Sequence, residues 1–298
     1  MKRMIVCMVG LSLLVLAGAA QAQDIGAKLK NCEGGDAQAC AEVGALYYDD
    51  DEDVKMDIGK AKEYYGRSCD LGLAEACFLV ARTLYSGDHW PGDRTEARTW
   101  YDRACKKGNL PSCFHIGLMH VEGDGGPKDL DAGLPHLQKG CDGGHGAACL
   151  HAGWYAFGLE RDTEAVAHSK KGCAAGEAPA CFNLGNHLLF VEKTPADAAR
   201  IFEALCKNGI AVGCISQACA IFATDQVTAL SLSAQHLEQA TKDCDQIKDG
   251  ELCLAVADWM KIAQFPGGGD EIRTKARGFL QAACDGGDKG SCRVLKIR

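Results

Sequence analysis

Cysteine is the residue with which most chemistry could be done in this chain. There are eighteen in 298 residues, with nine histidines beside them. Metal ligation, thiol redox exchange and cross-linking all use such a set, and spacing separates them. Zinc sites favour two to four residues between adjacent ligands, and no Cys-x-x-Cys occurs. The same absence removes a thioredoxin-type motif. Neither His-x-His nor His-Glu-x-x-His is present for a metal enzyme. The cysteines instead pair as Cys32 with Cys40, Cys69 with Cys77, Cys105 with Cys113, Cys141 with Cys149, Cys173 with Cys181, Cys206 with Cys214 and Cys284 with Cys292, each with seven residues between. Cys244 and Cys253 have eight between them. So many cysteines of this kind fit disulfides in an oxidising compartment rather than a reducing cytosol.

The elements that hold these pairs follow from their flanks. The first cysteines advance by 37, 36, 36, 32, 33, 38 and 40 residues. A period near 36 across the chain predicts a solenoid of repeated supersecondary units, so the usual prior of about two domains for this length does not apply. Three residues after the first cysteine stands Gly35, Gly72, Gly108, Gly144, Gly176, Gly209 or Gly287. Glycine just past a helix end closes it in the left-handed conformation, so the first cysteine ends a helix, B. The second begins the next helix, A. Its positions three, four and seven further on form one helical face, and in the seven pairs before the last the fourth is small, as in Gly44, Gly117 and Gly185. Helix B brings bulk before its cysteine, as in Tyr64 and Tyr65, Trp100 and Tyr101, Ile201 and Phe202. Each disulfide then ties the end of one B to the start of the next A, across a corner tight enough for the Cα separation a disulfide needs. Turns such as Gly123–Pro127 and Pro266–Gly269 join A to B. Pro135 falls within the helix B of the third unit, where it should delay the start or kink the helix. A long helix B is expected from Thr224 to Ser233.

The N-terminus predicts export. Lys2 and Arg3 precede an apolar stretch, Met4 to Ala17, and Ala20-Gln21-Ala22 offers a signal peptidase its small residues. Residues 1–22 are expected to leave, with cleavage before Gln23 and the repeat solenoid following over residues 24–298 as about seven repeats plus caps. Cys7 leaves with the signal, and no lipoprotein cysteine follows the apolar stretch, which is short for a membrane span. Loss of Lys2 and Arg3 takes the net charge from -8 to -10. That acidity, with no Lys/Arg-rich run, argues against nucleic acid and against an anionic membrane surface.

Segments such as Cys69-Asp-Leu-Gly-Leu-Ala-Glu-Ala-Cys77 and Cys113-Phe-His-Ile-Gly-Leu-Met-His120 resemble Sel1-like repeats. The Cys-x7-Cys form is similar to the Helicobacter cysteine-rich protein family. The resemblance runs from about Lys28 to Cys292. It implies an all-α superhelix related to tetratricopeptide repeats, one disulfide per repeat, and a periplasmic or secreted location. Members have been described as penicillin-binding proteins and β-lactamases, others as adaptors or secreted virulence-related proteins. Serine chemistry on β-lactams needs a lysine three residues after the serine. None of Ser68, Ser86, Ser112, Ser169, Ser216, Ser231, Ser233 and Ser291 has one, and Lys193-Thr194-Pro195 lacks the glycine of Lys-Thr-Gly. No catalytic residue, cofactor or metal site is assigned. The chain reads as a scaffold for a protein or peptide partner, with β-lactam chemistry as the alternative the resemblance implies.

Candidate binding residues come from the polar register. Positions two, five and nine past the second cysteine should line an inner groove: Glu42, Arg82, Ser86, Glu122, His151, Trp154 and Asn186. Trp154 is the expected anchor, since Trp and Arg dominate interfaces; the alternative is that it packs on the adjacent helix. His115, His151 and Asn183 share a register and form either a surface ladder, a ligand contact or a metal site. Cys219, left over from the pairs, is either an inert buried thiol or a reactive one that competes for Cys244. The acidic run Asp49–Asp53 reads as a solvated loop, a calcium site being the minor alternative.

Overall fold

The computed structural model describes residues 25–49, 54–87, 91–222, 224–247, 250–262, 270–286, 291–292 and 294. The signal segment, most of the Asp49–Asp53 run and the Pro266–Gly269 turn lie outside them. The described residues hold helices and no strand. The helices are α1 (residues 25–33), α2 (Ala37–Tyr48), α3 (Ile58–Asp70), α4 (Ala74–Ser86), α5 (Arg94–Lys106), α6 (Leu110–Glu122), α7 (Leu130–Asp142) and α8 (Gly146–Gly158). They continue as α9 (Asp162–Ala174), α10 (Ala178–Phe190), α11 (Pro195–Lys207), α12 (Ala211–Ile221), α13 (Gln226–Ile247), α14 (Gly250–Ile262) and α15 (Asp270–Asp285). The chain forms two compact units, Met1–His136 and Leu137–Arg298.

The corner from B to A is nearly identical at the first six pairs. Gly35, Gly72, Gly108, Gly144, Gly176 and Gly209 all have positive φ, between 80° and 114°. The glycine N–H donates to the carbonyl of the first cysteine, as in Gly72 to Cys69 at 3.0 Å, and the next N–H reaches one residue further back, Leu73 to Ser68 at 3.1 Å. These paired bonds satisfy helix-end carbonyls that otherwise lack a partner. The residue after the glycine is extended and precedes the next helix, so one three-residue turn both ends B and starts A. The second cysteine falls four residues later. Its Cα lies 4.4 to 5.0 Å from that of the first in all eight disulfides. The tightest of these corners is that of Cys149, whose Cα stands 4.4 Å from that of Cys141. Space there is shared with Gly172 of α9, where an added Cβ would meet the Cys149 Cβ at 3.2 Å.

Packing within a repeat depends on the small residue of helix A. A Cβ added at Gly185 would meet the Phe202 ring at 2.5 Å, and one at Gly44 would meet Tyr65 at 3.0 Å. The residue four before the first cysteine fills that space and is buried each time: Tyr65, Tyr101, Leu137, Ser169, Phe202, Ala240 and Leu280. In the first unit the core gathers around Tyr65, Val80, Leu84, Tyr101, Ile116 and Met119. In the second it gathers around Phe182, Leu184, Phe202 and Leu205, then around Ile215, Val256 and Trp259.

Departures from the period have local causes. The steps of 32 and 33 residues leave their helices at 13 residues and shorten only the A–B connection, to residues 159–161 and 191–194; the 36-residue repeats use residues 87–93 and 123–129. The tight connections put Glu160 and Lys193 at φ of 61° and 60°. Pro135 does not delay its helix. α7 begins eleven residues before Cys141, as α3 and α5 begin eleven before Cys69 and Cys105. Asp129 Oδ1 accepts from the Ala132 N–H at 2.9 Å to cap it, and the proline forfeits one helical hydrogen bond. The long helix expected over 224–233 is α13, which starts at Gln226 and continues through Cys244 to Ile247. No glycine follows Cys244 to stop it, hence the extra residue before Cys253.

Candidate functional site

The six candidate groove residues divide between the units, and each group is set by its own helices. In the first, Arg82 is exposed on α4 with its guanidinium 5.8 Å from the Phe78 ring centroid. His115, on α6, stacks on Tyr101 at 4.9 Å and lies 6.1 Å from Phe78. Both residues therefore join an aromatic ladder, His115 as a stacking partner. Burial pushes the Tyr101 hydroxyl up to about 12, so it stays a neutral donor.

In the second unit, Trp154 of α8 and Asn183 and Asn186 of α10 converge on one cavity of about 50 Å³. Two disulfides fix the starts of those helices. Cys149 is bonded to Cys141 five residues before Trp154, and Cys181 to Cys173 two residues before Asn183. Phe157, His187, Phe190, Gly153, Ser169 and Val294 also line the cavity. Trp154 and Phe157 lie 6.2 Å apart, and Phe157 meets His187 edge-on at 6.2 Å. His187 Nε2 stands 3.8 Å from Glu192 Oε1. The lining is mostly apolar with two carboxamides among it, a mixture that can meet an apolar side chain and the polar backbone carrying it. His151 sits outside this lining, half-buried and 6.3 Å from Tyr155. Phe157 and Phe190 had a signal in the sequence: they follow Trp154 by three and Asn186 by four, the spacing of one helical face. Val294 had no local signal.

Cys219, on α12, takes no part in a disulfide. It is half-buried and packs against the cluster of Ala211, Ile215, Ala218 and Trp259. Cys244 is bonded to Cys253. The ligand atoms of Cys206, Cys214 and His236 lie within 4.8 Å of one another. The two sulfurs are joined as a disulfide, so the donor set lacks the thiolates zinc takes.

Three imidazoles respond to acid. Burial holds His151 below the ordinary histidine value of 6.5. Burial does the same for His168, helped by Lys171, and for His120, helped by Arg98 and His136. These groups are neutral when folded, while the unfolded chain binds their protons near pH 6.5. Their contribution to stability is complete above that pH and falls as the medium acidifies below it. The melting temperature is expected to drop between pH 6.5 and 5, with a shallower slope in His151→Gln. Parallel slopes in a pH series of thermal melts would refute this assignment for His151.

Comparison with known proteins finds a family model for three of the repeats. The Sel1 repeat model matches residues 37–73, 74–109 and 110–145. Cytochrome c oxidase assembly factor 7 of Mus musculus is 42% identical over 59 residues, 19% of this chain and 26% of that protein. The chain thus spans about a quarter of the curated relative it matches. A Sel1 repeat protein from Oxalobacter formigenes has a similar structure, with a TM-score of 0.62 at 19% identity, covering 91% of this chain and 89% of that one. Cysteine rich protein B of Helicobacter pylori is also similar, with a TM-score of 0.34 at 20% identity, covering 44% of this chain and 94% of that one.

Proposed function

We propose that this Sel1-repeat chain is an exported, disulfide-stapled scaffold that captures a protein or peptide segment in the recess between α8 and α10. The observation that carries the reading is the convergence of Trp154, Asn183 and Asn186 with Phe157, His187 and Phe190 around one cavity. Trp supplies a large, rigid contact area, and such anchors in desolvated pockets account for most of the binding energy of an interface. The carboxamides fix a ligand backbone by offering both donors and acceptors. Solenoid repeats present extended surfaces on which such pockets recur in register. The absence of a serine–lysine pair leaves no residues to which β-lactam chemistry is assigned.

The test is selection of a displayed peptide library on the oxidised chain. Peptides so selected are expected to bind Trp154→Ala more weakly by about 30-fold, the effect of an interface hot spot near 2 kcal/mol, with the variant still folded at the assay temperature. Arg82→Ala lies in the other unit and reports on whether the first unit shares the ligand. Equal binding to wild type and Trp154→Ala would sink the recess as the binding site. Export is supported by eight disulfides, which need an oxidising compartment, and by the Ala20-Gln21-Ala22 site. No helix among the described residues is long and apolar enough to cross a membrane. N-terminal sequencing of protein recovered outside the cytoplasm should begin at Gln23; a retained Met1 would refute cleavage.

A further inference from the structure

We infer that the first unit carries a peptide site of its own, in which Arg82 takes an acidic side chain from within a segment lying across α2, α4 and α6. This site is separate from the Trp154 recess and does not depend on it.

The three A helices of this unit repeat one register. One residue past the second cysteine stand Ala41, Phe78 and Phe114. Five past it stand Ala45, Arg82 and Leu118, and eight past it on the first two helices stand Tyr48 and Tyr85. Steps of four and seven fall on one helical face. All of these are half-buried apolar or aromatic residues except Arg82, which is charged and exposed. Its guanidinium lies 5.8 Å from the Phe78 ring centroid. Phe78 in turn lies 6.0 Å from Tyr101 and 6.1 Å from His115. One cation is thus seated against a group of rings within an apolar register.

Arg82 also differs from the other described arginines of the unit. Arg67 donates to the Glu33 carbonyl at 3.1 Å, Arg94 pairs with Asp124, Arg98 contacts His120, and Arg103 pairs with Asp70. Arg82 has no ion pair or hydrogen bond with a described residue. A guanidinium keeps its charge at any working pH, and its planar fork of donors fits a carboxylate through two parallel bonds. It is also weakly hydrated, which suits it to an interface. Two hydroxyls stand within its electrostatic reach. Burial pushes Tyr65 and Tyr101 up to about 12, and Arg82 opposes the rise in both. Both therefore stay protonated and can donate. Asp49 acts on Tyr65 as well, but it forms no ion pair with Arg82.

Charge and register together select the occupant. A chain of net charge -8 repels acidic ligands at long range, but that field is screened over about 8 Å at physiological salt. An acidic group is held only where a cation lies beside it without a partner. The apolar register continues in the repeats before and after α4, at Ala45 and at Leu118. A segment that ended at Arg82 would use one of these sides, whereas one that passes over it uses both. The occupant is an internal aspartate or glutamate with apolar residues before and after it.

The probe is a library of decapeptides displayed with free C-termini. It is selected on the oxidised full chain carrying Trp154→Ala, so that binders of the recess are lost, and in parallel on the same chain with Arg82→Glu. Aspartate or glutamate between apolar residues should be enriched where Arg82 is present, and lysine or arginine should replace it where Arg82→Glu is. Selected peptides are then synthesised and titrated by fluorescence anisotropy. Arg82→Gln should weaken them by about tenfold or more, the size of a charge-assisted hydrogen bond. Changing the peptide's acid to its amide should cost as much, and the two changes together little more than either. Arg82→Lys should keep part of the affinity, since it retains the charge but not the fork. No acidic enrichment, or acidic peptides that bind Arg82→Gln as tightly as Arg82, would overturn the inference. So would peptides that lose binding when their C-terminus is amidated, which puts a terminal carboxylate there. An Arg82-dependent dimer in sedimentation velocity would put a second copy of the chain there and overturn it too. The recess is judged separately, by whether peptides selected on the wild-type chain need Trp154.

Discussion

Complete reduction of the chain with excess dithiol at neutral pH is expected to abolish its cooperative thermal transition and most of its helical circular dichroism at 37 °C. Each disulfide closes a loop of about nine residues, which stabilises the fold by about 2.5 kcal/mol through the entropy of the unfolded chain. Eight such terms do not add fully, but a few of them already equal the 5–15 kcal/mol that holds a domain of ordinary stability. The helices do not replace them. Helices α3 to α11 are 13 residues long each, near the length below which isolated helices are marginal in water. The surface ion pairs between successive B helices, Lys62 with Glu96 at 2.6 Å and Lys171 with Asp142 at 2.6 Å, contribute about 0–1 kcal/mol each when exposed. A reduced, alkylated chain that melts within a few degrees of the oxidised one would show that packing alone holds the repeats.

Phe202→Ala should destabilise the second unit by about 3–5 kcal/mol, the cost of removing a fully buried phenylalanine from a core that cannot collapse around the gap. Phe202 is 0% exposed. The gap would persist because Gly185, on the facing helix, has no side chain to move into it, and the backbone there is held between the Cys173–Cys181 and Cys206–Cys214 disulfides. Urea unfolding of the oxidised variant measures the loss, and an effect below about 1 kcal/mol would contradict the packing. Because repeats contact chiefly their neighbours, the damage should stay local. Hydrogen exchange should accelerate in α10 and α11 before it does so in α3 and α4.

The corners were legible because their chemistry is local. A glycine three residues past a cysteine needs only a few neighbouring residues to define its conformation, and six of those glycines have the left-handed geometry expected. The odd repeat at Cys244 was marked by its extra residue, and its missing glycine lets α13 run on to Ile247, well past the expected Ser233. Pro135 was harder to read. Its rule concerns one hydrogen bond, and the capping by Asp129 together with the burial of Leu134 and Leu137 outweighs that loss. The candidate site was half legible. Trp154, Asn183 and Asn186 came from register alone. Phe190 stands nine past Cys181, in the groove register itself, and Phe157 lies three past Trp154, but neither was named among the candidates. Val294 was invisible, since nothing within ten residues of it says which distant helix it meets. Register also could not separate residues that stack on a buried tyrosine, as His115 does, from those that open onto a cavity.

The disulfides all join cysteines that are consecutive along the chain, with Cys219 left between two pairs, and this bears on how the protein is assembled. Sixteen cysteines could pair in about two million ways by the counting that gives 3, 15 and 105 for four, six and eight. A polypeptide that emerges N-terminus first meets almost none of them. When Cys40 appears, its one available neighbour is Cys32, and closing a loop of this length takes tens of nanoseconds, while the next cysteine is 29 positions away at Cys69. By the time Cys149 appears, three earlier corners are already sealed and Cys141 is the thiol that waits for it. Oxidation that keeps pace with emergence closes each corner before a rival arrives, and shuffling enzymes have nothing to correct. One stretch breaks the order. Cys219 appears 25 residues before Cys244, so any mispaired product should be confined to Cys206, Cys214, Cys219 and Cys244. Refolding from the fully reduced state, with all cysteines present at once, should lose this economy and give many isomers, whereas stepwise oxidation during synthesis should give one.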